Sequence, residues 1–135
     1  VINVAGHRLS TAEMEEIVAS HHSVAECAVI GINDELKGQI PLALVVAKSG
    51  EDIEHFQLQH EVVHLVREQI GAVASLRDVV IVQRLPKTRS GKILRKMMRS
   101  IADGEQFQVP STIDDEAIID EIRDVLEHAK IGCFK

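Results

Sequence analysis

The chain has no tryptophan and no tyrosine, and its only aromatic rings besides histidine are Phe56, Phe107 and Phe134. Bases of a single strand therefore have no platforms to stack on, and the chain offers no evident adenine pocket of its own. A formal net charge of −6 removes the basic face that a general DNA or RNA binder needs. No apolar run is long enough to span a bilayer, and nothing at the start reads as a signal peptide. Neither a nucleic-acid nor a membrane partner is expected. Cysteine is sparse, with Cys27 in an apolar stretch and Cys133 near the end, and the two read as reduced thiols of an intracellular protein. Internal repeats and low-complexity segments are also absent.

What remains is 135 residues, enough for one ordinary domain that buries roughly two-thirds of its unfolded surface. The chain starts at Val1 rather than Met, which reads as a piece of a longer soluble protein. Val1–Val4 and His7–Ser10 form two short extended runs turned at Ala5-Gly6, a hairpin pattern. Ser10 or Thr11 caps a first helix ending near Ser20, with Glu13 as the far partner of a capping box and Met14, Ile17 and Val18 as its apolar face. Val24–Ile32 and Pro41–Ala47 read as strands, the second starting at a proline where a strand start tolerates one. A helix over about Ile53–Ile70 gathers Leu58, Val62, Leu65, Val66 and Ile70 on one side and leaves His60, His64 and Arg67 on the other. Gly71 stops it, Asp78–Arg84 is a third strand, and helices follow over Ile93–Ile101 and about Asp115–His128. The expected fold class is α+β, a small sheet of about three strands plus a β-hairpin, flanked by helices.

Two stretches carry chemistry. Pro86-Lys87-Thr88-Arg89-Ser90-Gly91-Lys92 puts cations on a glycine-bearing loop between the third strand and a basic helix. If Lys92 opens that helix, the free N–H groups beside it favour an anion there. Spacing alone leaves this reading beside that of a solvated basic loop. A Walker P-loop is excluded, since Pro86 stands where its first glycine belongs and Ile93 where its Ser or Thr belongs. The second stretch, His60-Glu61-Val62-Val63-His64, has the H-E-x-x-H spacing of zinc hydrolases on a helix. It lacks a third ligand at a diagnostic spacing, and exposed surface histidines are the competing reading. A non-catalytic acidic interaction module is a further alternative.

Taken together, Val1-Ile2-Asn3-Val4-Ala5-Gly6-His7-Arg8-Leu9-Ser10 and Pro86-Lys87-Thr88-Arg89-Ser90-Gly91-Lys92-Ile93-Leu94-Arg95 resemble the C-terminal domain of the AMP-forming acyl-CoA synthetases. The branch is that of the acetyl- and propionyl-CoA synthetases, within the adenylate-forming superfamily. Lys37-Gly38-Gln39 looks like the family's central segment, and the resemblance covers nearly the whole chain. Ala5, Ile40–Leu44 and Gly71-Ala72-Val73 tilt it toward the propionyl type.

The resemblance implies that residues 1–135 are the mobile C-terminal lid of a two-domain ligase whose N-terminal adenylation domain lies elsewhere, so this fragment alone is expected to be inactive. Such enzymes join a short-chain carboxylate to ATP, release pyrophosphate, and let CoA displace AMP from the acyl adenylate. By the same resemblance Lys92 contacts carboxylate and phosphate oxygens during adenylation, and Arg8 contacts nucleotide phosphate. Ala5 and Gly6 line the CoA channel, and Arg67 meets a CoA phosphate. Mg2+ in some relatives maps to His21 and the backbone of Ala19 and Val24. The resemblance also makes Lys92 a target for a protein acetyltransferase, reversed by a sirtuin-type deacylase. The cytoplasm is the expected compartment, or the mitochondrial matrix in a eukaryote.

Overall fold

A computed structural model describes residues 2–50, 53–74 and 76–134. The tight hairpin is present as β1 (Ile2–Val4) and β2 (His7–Leu9), with Val1 outside the described residues. Ala5 and Gly6 both adopt positive φ, 50° and 87°, as a two-residue turn matched to strand twist requires. Helix α1 spans Thr11–Ala19, and its cap is Ser10, whose side-chain oxygen accepts the Glu13 N–H at 3.2 Å.

Two long strands form the centre, β3 (Val24–Asp34) and β4 (Gly38–Ala47), antiparallel with Gly31 opposite Pro41. Their alternation sends Ala28, Ile30, Ile32, Leu42 and Leu44 to one face and Cys27, Val29, Ala43 and Val45 to the other. Both faces are apolar because both are covered. Helices α1 and α2 (His55–Gln69) lie on one, where Met14, Val18, Leu58, Val62 and Val66 are buried. Helices α3 (Arg95–Asp103) and α4 (Ala117–Ala129) lie on the other with Met98, Ile101, Ile122 and Leu126. Full burial of one such side chain contributes about 1.5–3 kcal/mol.

The expected three strands and the hairpin are present and join in one sheet. It has five strands in the order β2-β1-β4-β3, with β5 (Asp78–Ile81) also on β4. The hairpin joins through Val4 opposite Gly38, and β5 runs parallel to β4 from Leu42 to Val45. Pro41 thus lies inside β4 rather than at its start. It falls between these two pairings, where that edge has no neighbour to miss its N–H. β5 ends before the expected Arg84 because the chain there turns away from the sheet: the Arg84 guanidinium pairs with Asp115 and Glu121 ahead of and within α4. Gly31 in β3 is a spacing residue, since a Cβ there would stand 2.1 Å from Ile2 Cγ2, so its bare backbone lets the hairpin lie down on the sheet.

Candidate functional site: a lysine hairpin and a cationic face

Pro86–Lys92 is not a loose loop. Lys87 pairs with Ile93 across a short antiparallel bridge. The Thr88 N–H donates to Lys92 O at 2.9 Å, the Gly91 N–H donates to Thr88 O at 2.9 Å, and the Lys92 N–H donates to Thr88 Oγ1 at 3.1 Å. Gly91 takes φ 94° where the turn rejoins its strand, the position such turns reserve for glycine. The outside of the hairpin is pinned too, by Arg89 N–H to Thr112 O and Asp114 N–H to Lys87 O, both 2.9 Å.

This arrangement corrects the reading that Lys92 opens a helix. Ile93 is still paired with Lys87, and the Leu94 N–H bonds back to Pro86 O at 2.9 Å, so α3 starts only at Arg95. The helix dipole therefore has no part in the argument at Lys92; the ammonium is the feature that matters. It is exposed beside a cavity of about 750 Å³ that Lys96, Met97, Ser100 and Phe107 also line. Three nearby cations are engaged, Lys87 with Glu26 at 2.7 Å, Arg95 with Glu15 at 2.7 Å, and Arg84 as above, whereas Lys96 lines the same cavity as Lys92. Lys92 has no carboxylate partner among the described residues. Its charge is available.

On the other side of the sheet the structure gathers a second group. The Ala5 N–H donates to Lys37 O at 2.8 Å, which fixes the Ala5-Gly6 turn to the β3–β4 turn. Lys37, Arg67 and Arg77 line one cavity of about 450 Å³. Arg8 is exposed on β2, opposite Asn3, and has no ion-pair partner among the described residues. Ala5 is thus tied through Lys37 to the turn beside the Arg67 cavity, which neither Ala5 nor Gly6 lines, while Lys92 stands apart with α3.

The H-E-x-x-H helix does not assemble a metal centre. His60 and His64 are exposed on α2, but the Glu61 carboxylate accepts from His21 Nε2 at 2.7 Å and from Gln57 Nε2 at 2.8 Å. Those hydrogen bonds, His21 first, hold its carboxyl below the ordinary value and make it a poorer base. His64 pairs with Glu68 at 3.0 Å, and among the described residues no three His, Cys, Asp or Glu side chains are grouped to hold an ion.

His21 has both ring nitrogens engaged, since Nδ1 also accepts the Ser23 N–H at 3.0 Å. With its ring engaged, His21 could meet a Mg2+ at Ala19, His21 and Val24 only through its backbone oxygen, which already accepts the Val24 N–H at 3.1 Å. The turn suits this in one respect, since Ser23 Oγ within it is buried with no hydrogen-bond partner among the described residues. Burial first, and then Glu15, pushes the Cys27 thiol up to about 11, so it stays protonated and inert near neutral pH.

The AMP-binding enzyme C-terminal domain family matches residues 13–92. The chain belongs to that family. It is 64% identical over 98% of its length to an uncharacterised protein of Pseudomonas aeruginosa, and 45% identical over 94% to the propionate–CoA ligase of Escherichia coli K12. It spans 21% of each of those proteins. A solved acyl-CoA synthetase of Brucella canis matches 74% of the chain with TM-score 0.68 and 34% identity, over 18% of its own length. The resemblance found in the hairpin and lysine motifs is borne out at the level of the family: the chain is an AMP-binding enzyme C-terminal domain similar to those of acyl-CoA synthetases. Among the described residues no helix is long and apolar enough to cross a membrane.

Sequence reasoning missed Lys37 and Arg77 as members of the cationic face. It also missed the Glu26–Lys87 and Glu15–Arg95 pairs that wrap the free edge of β3. Partners 61 and 80 residues apart leave no local signal. For Arg77, the stop at Gly71 followed by a return of the chain toward β5 was the available clue.

Proposed function

We propose that this domain is the catalytic lid of a short-chain acyl-CoA synthetase, with propionate favoured over acetate, acting with its own N-terminal adenylation domain. The observation that carries the proposal is Lys92: an exposed ammonium with no carboxylate partner among the described residues, held at the foot of a hydrogen-bonded hairpin beside a cavity, while Lys87 and Arg95 next to it are paired. Adenylation crowds the oxygens of a carboxylate against the α-phosphate of ATP while pyrophosphate leaves. A cation held at that point stabilises the transition state more than the ground state. The hairpin delivers Lys92 as one rigid unit, and Arg8 steadies nucleotide phosphate.

In the second half-reaction the thiolate of CoA displaces AMP. Its slender pantetheine arm passes the Ala5-Gly6 turn, where almost no side chain stands in the way, and Arg67 meets a phosphate at its far end. Mg2+ on the Ala19, His21 and Val24 oxygens would supply positive charge beside α1. The propionate preference rests on Ala5 and on the likeness to a propionate–CoA ligase, and the cytoplasm is the proposed compartment. Acylation of Lys92 by a protein acetyltransferase would neutralise the adenylation cation, and a sirtuin-type deacylase would restore it.

The test uses the full-length enzyme. Lys92→Ala should lower propionate-dependent ATP–pyrophosphate exchange about 10²–10³-fold and leave thioester formation from propionyl-AMP and CoA largely intact. Enzymatic acetylation of Lys92 should do the same, reversibly. Survival of both half-reactions in the Ala variant would remove Lys92 from catalysis.

A further inference from the structure

The cavity beside Arg67 differs in charge from the chain that forms it. Lys37, Arg67 and Arg77 line it over a wall that includes Val63, Val66 and Leu76. No carboxylate among the described residues lines it, although the chain as a whole carries a formal −6. The three cations come from separate places: the β3–β4 turn, the last turn of α2 and the approach to β5. Gly71, at φ 105°, lets the chain leave α2 and double back through the short 3₁₀ turn Ala72–Ala74, which brings Leu76 and Arg77 against α2.

Arg67 and Arg77 have no ion-pair partner among the described residues, whereas Arg84, Arg95 and Arg123 each have one. Two guanidinium groups lining one cavity repel each other unless an anion lies between them. Guanidinium is the group suited to gripping phosphate with paired hydrogen bonds. The apolar wall fits a ligand with an organic body behind its charged end.

We propose that Arg77 is a specificity residue: together with Arg67 it grips the terminal 3′-phosphate on the nucleotide end of CoA and selects CoA over dephospho-CoA, which lacks that group. This rests on the reading of the Ala5-Gly6 face as the CoA channel. The Ala5 N–H bond to Lys37 O fixes that turn to Lys37, one of the residues lining the cavity. Lys92, the residue assigned to the acyl and phosphate oxygens of adenylation, stands on the opposite side of the sheet.

The experiment measures KM for CoA and for dephospho-CoA in the full-length enzyme carrying Arg77→Ala, Arg77→Lys or Arg67→Ala. ATP–pyrophosphate exchange, which uses no CoA, reports that each variant is folded. Loss of a charged hydrogen-bond pair predicts a rise of about tenfold in KM for CoA with Arg77→Ala. The KM for dephospho-CoA should move less than about twofold on the same grounds, and Arg77→Lys should fall between, because it keeps the charge and loses the fork. An equal rise for both substrates would overturn the proposal, as would a rise in KM for ATP instead. If Arg67→Ala raises KM for CoA and Arg77→Ala does not, Arg77 is no part of the grip and the CoA face stands. If neither variant alters it, the CoA face itself is misassigned.

Discussion

Lys92 sits on a hairpin closed by local hydrogen bonds between its two arms and pinned from outside at Thr112 and Asp114, whereas Arg67 and Arg77 meet at a cavity that three distant parts of the chain build together. At the first site the neighbours Lys87 and Arg95 are held by Glu26 and Glu15, and Lys92 is left without a carboxylate partner among the described residues. The second gathers several cations around a cavity that no carboxylate among the described residues lines. A charge used at a transition state is best unencumbered and rigidly carried. A charge used to hold a polyanion gains from company. The two lie on opposite faces of one sheet, an arrangement consistent with the proposed lid role.

The comparison breaks most sharply within the lysine hairpin. Lys92→Gln in the full-length enzyme should cost adenylation about 10²–10³-fold. Lys87→Gln, in the same hairpin but paired with Glu26 at 2.7 Å, should lower it by less than about tenfold, since a partly exposed pair is worth only about 1 kcal/mol. Equal losses in the exchange assay would mean that the whole loop acts as a diffuse basic patch.

A smaller effect separates the two faces mechanically. Gly31→Ala drives a methyl against Ile2, and overpacking of this kind costs about 1–3 kcal/mol. The hairpin carrying Ala5, Gly6 and Arg8 must shift, while the Pro86–Lys92 hairpin is tied to residues 112–114 instead. Hydrogen exchange should show the Ala5 amide losing protection and the Thr88 and Lys92 amides keeping theirs. Protection lost in both hairpins would show that the faces are coupled through the sheet.

The same contrast explains what could be read from the residues. The β1–β2 hairpin, the Ser10 cap and the two faces of α2 follow from local patterns of turn chemistry, capping and periodicity, and each is present. Lys92 was legible because its motif is contiguous. The start of α3 was not, because Ile93-Leu94 fit an amphipathic helix as well as a paired strand, and the decision came from Lys87 and Pro86 on the other arm of the hairpin. The cationic cavity was hidden for a stronger reason. Arg77 gains meaning only when the chain doubles back at Gly71, and Lys37 only when β3 and β4 pair. The H-E-x-x-H match misled for the converse reason, a local pattern whose middle residue is claimed by His21, 40 positions away.

That claim gives the smallest predicted effect, and it acts on stability rather than on either site. Glu61 is held below the usual 4.5 chiefly by its hydrogen bond from His21. A carboxyl lowered on folding contributes stability that is fully present above its unfolded value and is lost as pH falls through the lower folded value. The clasp between the end of α1 and helix α2 should therefore hold at neutral pH and weaken below about 4.5, the ordinary carboxyl range. Melting temperatures at pH 7 and at pH 4 measure this. In Glu61→Gln the drop between the two should be smaller than in the wild type, because one proton-linked contribution has been removed from the native state. An unchanged drop would mean that the His21–Glu61 contact carries no pH-dependent stability, leaving the charge network around Arg84 and Asp115, whose carboxyl is also lowered, as the source of the acid limb.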